Sequence, residues 1–186
     1  ASENPEKLGH NVLANVIESG FQGPIYPINP KASEILGLKC YASVLDIPDP
    51  VDLVIIIVPA KFVEGVMEEA GRKGARGVIV ITAGFREAGA EGAKLEQSVA
   101  AIAKKYGMRL VGPNCLGLID TSTPVNASFA TGMPFKGTLA FTSQSGALGA
   151  AILDYALANN IGFSHFVSLG NKADVDEVDL LKAWAE

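Results

Sequence analysis

Ser143-Gln144-Ser145-Gly146 stands between a short β-prone run, Thr138–Thr142, and an apolar, Ala- and Leu-rich stretch that predicts a helix to about Asn159. A strand that ends in small polar residues at a helix start leaves backbone N–H groups free to hold an anion. The helix dipole favours negative charge at the same point. Ser143 and Ser145 add hydroxyl donors, and Gly146 lets a phosphate come close to the backbone. The alternative is that Ser143 or Ser145 only caps the helix. Similar turns recur upstream and point to a nucleotide-type ligand.

Other residues offer chemistry with less to support it. The opening SENPEKLGHN has no GxGxxG fingerprint, and the second predicted strand ends in Asn29-Pro30-Lys31 rather than in an acid. An acid there grips an adenosine ribose in NAD enzymes, whereas a lysine suits a phosphate on the ribose. Lys31 as a plain exposed lysine at a helix start is the competing reading. Val58-Pro59-Ala60 and Ala83-Gly84-Phe85 can line a ligand by backbone and apolar contact, or serve as ordinary strand-to-helix turns. Asn114-Cys115 invites a nucleophile reading, since a low-pKa thiol at a strand end could attack a thioester. Neither His10 nor His165 has an evident acid or base partner, so a small buried residue beside a turn-fixing amide is preferred for Cys115. Asp174, Asp176, Glu177 and Asp179 read as a solvated helix start rather than a metal site.

Composition bounds these options. The chain has 186 residues, of which 48% are apolar and only 7% aromatic, with 20 glycines, as in an α/β protein with buried parallel strands. A net charge of −5 argues against general nucleic-acid binding but leaves room for a small anionic ligand. Cys40 and Cys115 share no metal-ligand spacing, and reduced thiols in the cytosol are the simplest account. No membrane-length apolar run or signal peptide is seen, so the expectation is a cytoplasmic protein.

The elements that must hold the turns alternate along the chain. A helical stripe (Val12, Leu13, Val16, Ile17) occupies Gly9–Ser19, and Ile25–Ile28 reads as a strand followed by a brief helix ending near Gly37. Leu53–Val58 reads as a central strand, Lys61–Lys73 as a helix, Gly77–Thr82 as a strand, Glu91–Tyr106 as a long helix and Met108–Val111 as a strand. This rhythm predicts a doubly wound parallel sheet that binds its ligand where the strands' carboxyl ends open into loops. Asp120–Gly137, rich in Thr, Ser, Asn, Pro and Gly, reads as a connection between a first domain (1–132) and a second (137–186). The second contributes strands at Thr138–Thr142 and Phe163–Ser168 and a last helix around Val175–Ala185, too few to close a sheet alone. The first has a loop-like Ala1–Pro5 with no strand before it, so the expectation is a segment of a longer protein.

The runs VGPNCLGLID, FTSQSGALGAAILD and FVSLGNKADVDEVDLL, with NPK, VPA and TAGF in order before them, closely resemble the NDP-forming acyl-CoA synthetases over essentially the whole chain. The superfamily includes ADP-forming acetyl-CoA synthetases, the succinyl-CoA synthetase α subunit and the synthetase-like part of bacterial protein lysine acetyltransferases. The resemblance implies a Rossmann-like CoA-binding domain followed by the start of a flavodoxin-like ligase domain. It also implies that acyl-CoA, phosphate and ADP are interconverted with acid, CoA and ATP. It places Ser2, Glu3, Asn4 and Pro5 at the CoA phosphates and Lys31 on CoA. Val58, Pro59, Ala60, Ala83, Gly84 and Phe85 fall along the cofactor, and Asn114 and Cys115 near its thiol end. Ser143, Ser145 and Gly146 hold the transferred phosphate. The family's phosphorylated histidine lies in a segment that this sequence does not contain, so no catalytic residue is assigned. ATP or ADP, with Mg, belongs to a partner ATP-grasp domain or subunit, and an oligomer is expected for the complete enzyme. The competing function is an acyl-CoA-sensing module of a protein acetyltransferase or a stand-alone CoA-binding protein. A generic NAD-binding domain is disfavoured by the missing fingerprint and acid.

Overall fold

The computed structural model describes residues 1–185. Helix α1 spans Leu8–Glu18. Strands β1 (Glu34–Ile35) and β2 (Leu38–Lys39) form a small hairpin. Two βα units and a third strand follow in β3 (Leu53–Ile56), α2 (Val63–Lys73), β4 (Gly77–Val80), α3 (Ala90–Tyr106) and β5 (Arg109–Val111). Strands β3, β4 and β5 lie side by side in chain order, all parallel. The remaining elements are β6 (Gly117–Asp120), β7 (Val125–Ser128), β8 (Phe135–Ser143), α4 (Gly146–Ala158), β9 (Gly162–Ser168) and α5 (Glu177–Ala185).

The first sheet is buried on both faces because its strands carry unbroken apolar runs, the pattern parallel sheets require. Val54, Ile56, Val78, Val80 and Leu110 face α2 and α3, meeting Val63, Met67, Val99 and Ala103. Ile55, Ile57, Ile79, Ile81 and Val111 face the other way, against Val12 of α1 and Ala127 of β7. The alternation follows from the two-residue repeat of a strand. The centre of this sheet is β4 rather than β3, whose Leu53 is 42% exposed.

Three expectations are corrected. Ile25–Ile28 forms no ladder; a single bridge joins Ile28 to Tyr41. The brief helix before Gly37 is the β1–β2 hairpin, because Leu36 and Gly37 both take positive φ (52° and 77°), the geometry of a two-residue hairpin turn. Residues 120–137 are no plain connection. They hold β7 and the start of β8, and β6 pairs antiparallel with both β7 and β9. The second sheet, ordered β7-β6-β9-β8, therefore takes strands from both sides of the expected boundary, and the parallel pair β8–β9 does not stand alone. One face packs Phe163, Phe166 and Ile119 against Leu153 and Ala156 of α4, and the other packs Val167 and Leu169 with Trp184 of α5.

Candidate functional site

The N-terminal loop is held by local polar bonds. The Asn4 amide donates to Ser2 Oγ (3.1 Å) and the Glu6 amide to Asn4 Oδ1 (2.9 Å), turning the chain into α1. Helix α1 begins after Lys7 with no side-chain cap and no acid in its first turn, so its leading N–H groups and dipole favour an anion beside Ser2–Pro5. Asn29 joins this loop to the NPK turn: its Nδ2 donates to Ala1 O (3.0 Å), and its Oδ1 accepts from the Lys31 amide (2.9 Å). Lys31 itself is exposed, its charge free to meet a ligand phosphate.

A second group of loops gathers at the carboxyl ends of β3, β4 and β5. Thr82 Oγ1 donates to Val58 O (2.7 Å), and the Asn114 amide donates to Thr82 O (3.0 Å). Gly84 has φ +104°, and a Cβ there would lie 3.2 Å from Ala60 Cβ, so the Gly84 backbone comes up against the Ala60 side chain and the loops at 58–60 and 83–85 are neighbours. The backbone lies open here because Gly84 has no side chain. Glu87 fixes the loop, its Oε1 accepting from Gly84 N (2.6 Å) and Phe85 N (3.1 Å).

Two of the expected residues lie beneath the loops, Cys115 in keeping with its preferred reading as a small buried residue. Phe85 is fully buried in the core under α2 and α3, so its side chain anchors the loop and cannot line a ligand. Cys115 is buried beneath β4, with its thiol 3.5 Å from Val80 O. Burial pushes its pKa up to about 12, which leaves an inert thiol. Asn114, at φ +56°, remains at the loop, with Nδ2 3.4 Å from Asn171 Oδ1.

The Ser143–Gly146 turn closes the far end of the array. Ser145 caps α4, its Oγ accepting from Leu148 N (3.2 Å), and Ser143 Oγ accepts from Ser145 N (3.1 Å). Ser145 alone caps the helix, Ser143 bracing the amide of that cap, and both hydroxyls stand by the first turn of a 13-residue helix that carries no acid there. Gly146 abuts Leu116, at 3.7 Å for a built Cβ, and Leu169 N donates to Ser143 O (2.8 Å). The turn therefore sits against the loop that carries Asn114 and Cys115. Beside it, Gln144 and Lys172 both bond Glu177, whose carboxyl falls to about 2 through its own backbone N–H, Gln144 and Lys172.

Sequence reasoning passed over Asn29, Thr82, Glu87, Glu96 and Asn171. Asn29 and Thr82 carry a short-range signal, a polar residue at a strand end before a turn; the last three meet only through tertiary structure. A cavity of about 460 Å³ lies elsewhere, lined by residues such as Ala100, Lys104 and Arg109 at the start of β5. It lies at the amino end of β5, away from the loops, and two of its charged lining residues, Arg109 and Asp174, are already paired with each other. The acids at 174–179 form ion pairs and a helix start: Arg109 bonds Asp174 and Asp179, and Asp176 Oδ1 accepts from Val178 N and Asp179 N.

A parallel sheet with small loops at its carboxyl edge, followed by a second sheet that carries a strand–turn–helix unit, defines an α/β protein of the class that binds ligands at its loop edge. The chain belongs to the CoA binding domain family, whose model matches residues 1–121, and the model of the succinyl-CoA ligase like flavodoxin domain matches 136–186. It is 52% identical over 186 residues to an ADP-forming acetate–CoA ligase I of Archaeoglobus fulgidus, covering all of this chain and 27% of that protein. It is 49% identical over 187 residues to the α subunit of the ADP-forming acetate–CoA ligase II of Pyrococcus furiosus, covering 100% of this chain and 40% of the subunit. Among solved structures, the dinucleotide forming acetyl-coenzyme A synthetase 1 of Ca. Korarchaeum cryptofilum, in complex with phosphate and ADP, superposes with a TM-score of 0.97 at 46% identity. That match covers 100% of this chain and 40% of the other. The chain thus spans well under half the length of these relatives.

Proposed function

We propose that this chain binds coenzyme A or an acyl-CoA and is the CoA-binding portion of an ADP-forming acid–CoA ligase acting on acetyl-CoA or a similar thioester. Residues 1–121 carry the CoA unit and 136–186 begin the phosphate-handling unit, with β6 and β7 joining the second sheet. Ser2, Glu3, Asn4, Pro5 and Lys31 take the phosphate-bearing nucleotide half. Val58, Pro59, Ala60, Ala83 and Gly84 run along the cofactor by backbone contact, and Asn114 stands near the thiol. Cys115 and Phe85 support these loops from below. Ser143, Ser145 and Gly146 take the phosphate that attacks the acyl group, with fixed N–H donors stabilising the charge on its oxygens. CoA, when bound, supplies the thioester.

The observation that carries this reading is the tie between the two ends: Thr82 to Val58, Asn114 to Thr82, and Leu116 against Gly146. One edge then offers a path from a phosphate-binding loop to an anion cradle, which a synthetase needs and a nicotinamide domain does not. ADP or ATP, with Mg, is assigned to an ATP-grasp domain or subunit. The working enzyme is an oligomer in the cytoplasm.

In the complete enzyme, phosphate alone should free CoA from acetyl-CoA in a single round at most, with repeated turnover only when ADP is present as well. Release that needs neither contradicts the proposal, as does failure with both. Gly146→Val sharpens the test, because a Cβ at 146 meets only Leu116 at ordinary contact distance and the fold should accept it. Phosphoryl transfer should collapse while CoA affinity holds; unchanged transfer would reduce the turn to a helix cap. This chain by itself should show no turnover and no phosphohistidine.

A further inference from the structure

Asn171, 7% exposed, spends all its polar groups on two loops and on helix α3. Its Nδ2 donates to Glu87 Oε2 (2.6 Å) and to Glu96 Oε2 (2.7 Å). Its amide donates to Pro113 O (2.8 Å), its Oδ1 faces Asn114 Nδ2, and its carbonyl accepts from the Arg86 guanidinium. Arg86 Nε also lies 3.4 Å from Glu96 Oε1, so the buried Glu96 is paired. Glu87 is the same carboxylate whose other oxygen holds the Gly84 and Phe85 amides. Burial opposes its ionisation, but the bonds from Asn171 and from these amides outweigh that and hold its pKa below the ordinary value.

The neighbours of Asn171 reach the other end of the site. Leu169 N bonds Ser143 O, and Ser168 Oγ accepts from Leu116 N (3.1 Å). Gly170 has φ +56°, and a Cβ there would lie 2.5 Å from Asn114 O, so only glycine lets the segment press against the 112–115 loop. Asn171 thereby stands between the 83–87 segment, which it bonds directly, and the Ser143–Gly146 turn, which its neighbours bond.

We infer that Asn171 is a positioning residue. Through Glu87 it holds the 83–85 loop, and through Pro113 and Asn114 it holds the 112–115 loop whose next residue, Leu116, abuts Gly146, fixing the distance between bound thioester and phosphate. The inference rests on the proposed CoA reading of the 83–85 loop. Glu87 still caps Gly84 and Phe85 when Asn171 is lost, so the loop keeps its local shape and only the register between the two ends slackens. A misplacement of about 1 Å costs up to roughly 10²-fold in rate.

In the complete enzyme, Asn171→Ala should lower kcat by about 10–100-fold while KM for CoA and phosphate stays within about threefold. A lowered unfolding temperature with unchanged kcat per folded molecule overturns the inference, as does a rise in KM alone. Should Asn171→Ala fail to fold, Glu87→Gln carries the test. Its Oε1 still caps Gly84 and Phe85, but its amide opposes that of Asn171. The same kcat loss is expected with CoA affinity retained, and wild-type kcat in that variant overturns the role. A wild-type chain that binds no CoA overturns both this inference and the proposed function. CoA binding with full kcat in both variants removes Asn171 alone.

Discussion

Gly92 lies in the first turn of α3, directly beneath the loop proposed to follow the cofactor. A Cβ built there would overlap the Phe85 carbonyl oxygen and lie 2.5 Å from its carbon, against 3.4 Å for ordinary contact. Gly92→Ala must therefore part helix and loop by roughly 1 Å. The helix is pinned by Val99, Ala103 and the buried Glu96, so the strain falls on the loop, although buried Phe85 resists it. Ala improves helix propensity by about 1 kcal/mol, and overpacking costs about 1–3 kcal/mol. Strain wins or nearly balances, leaving a folded protein with a displaced 83–85 loop. CoA affinity should fall at least about tenfold, some 1.4 kcal/mol, as read by titration calorimetry, with a modest drop in unfolding temperature. Gly65→Ala is the control: it lies in α2 with nothing within 4 Å, and it should stabilise the protein and leave CoA alone. A folded Gly92→Ala with wild-type CoA affinity would refute the placement of the cofactor along this loop.

Lys31→Ala should weaken CoA about tenfold but dephospho-CoA hardly at all, the low end of the range for a charge-assisted phosphate contact because the lysine is exposed; equal losses would exclude the 3′-phosphate. Folded protein should resist thiol-alkylating reagents at neutral pH, since Cys40 and Cys115 are both buried and the Cys115 thiol ionises only near 12; Cys115→Ala should keep CoA affinity, and rapid alkylation would restore the nucleophile reading. Glu177 titrates near 2 in the folded chain against 4.5 ordinarily, so its stabilising effect is full above about pH 4.5 and lost as pH falls towards 2. Trp184, the single tryptophan, sits in α5 and should report that loss by fluorescence, and an identical acid transition in Glu177→Gln would contradict the assignment.

The elements with long apolar runs or clear helical stripes were readable in the sequence. Leu53–Ile56, Gly77–Val80 and α1 through α4 lie within a few residues of expectation because burial on one or both faces dictates their pattern. The β6–β7 hairpin was not readable. Its strands carry Asn126 and Ser128, which are buried yet satisfied, Ser128 Oγ donating to Asn126 Oδ1 (2.6 Å) and Asn126 Nδ2 to Gly132 O (2.9 Å). Polarity that reads as a linker is here an internal bonding scheme, completed by Asn15 of α1 donating to Ser128 O and Ala130 O. Phe85 misled for the opposite reason: its backbone faces the loop while its side chain serves the core. Asn171 pairs with Glu87 and Glu96 across 84 and 75 residues, a separation over which no local pattern signals contact.

The most direct measurement of the central claim is a titration of this chain with CoA and, separately, with NAD, followed by backbone amide resonances. CoA should bind at one site and move the amides of Ser2–Asn4, Lys31, Ala60, Ala83, Gly84 and Asn114, while NAD leaves them in place. Movement confined to the cavity around Ala100 and Arg109, or equal binding of NAD, would contradict a CoA site at the carboxyl edge of this sheet.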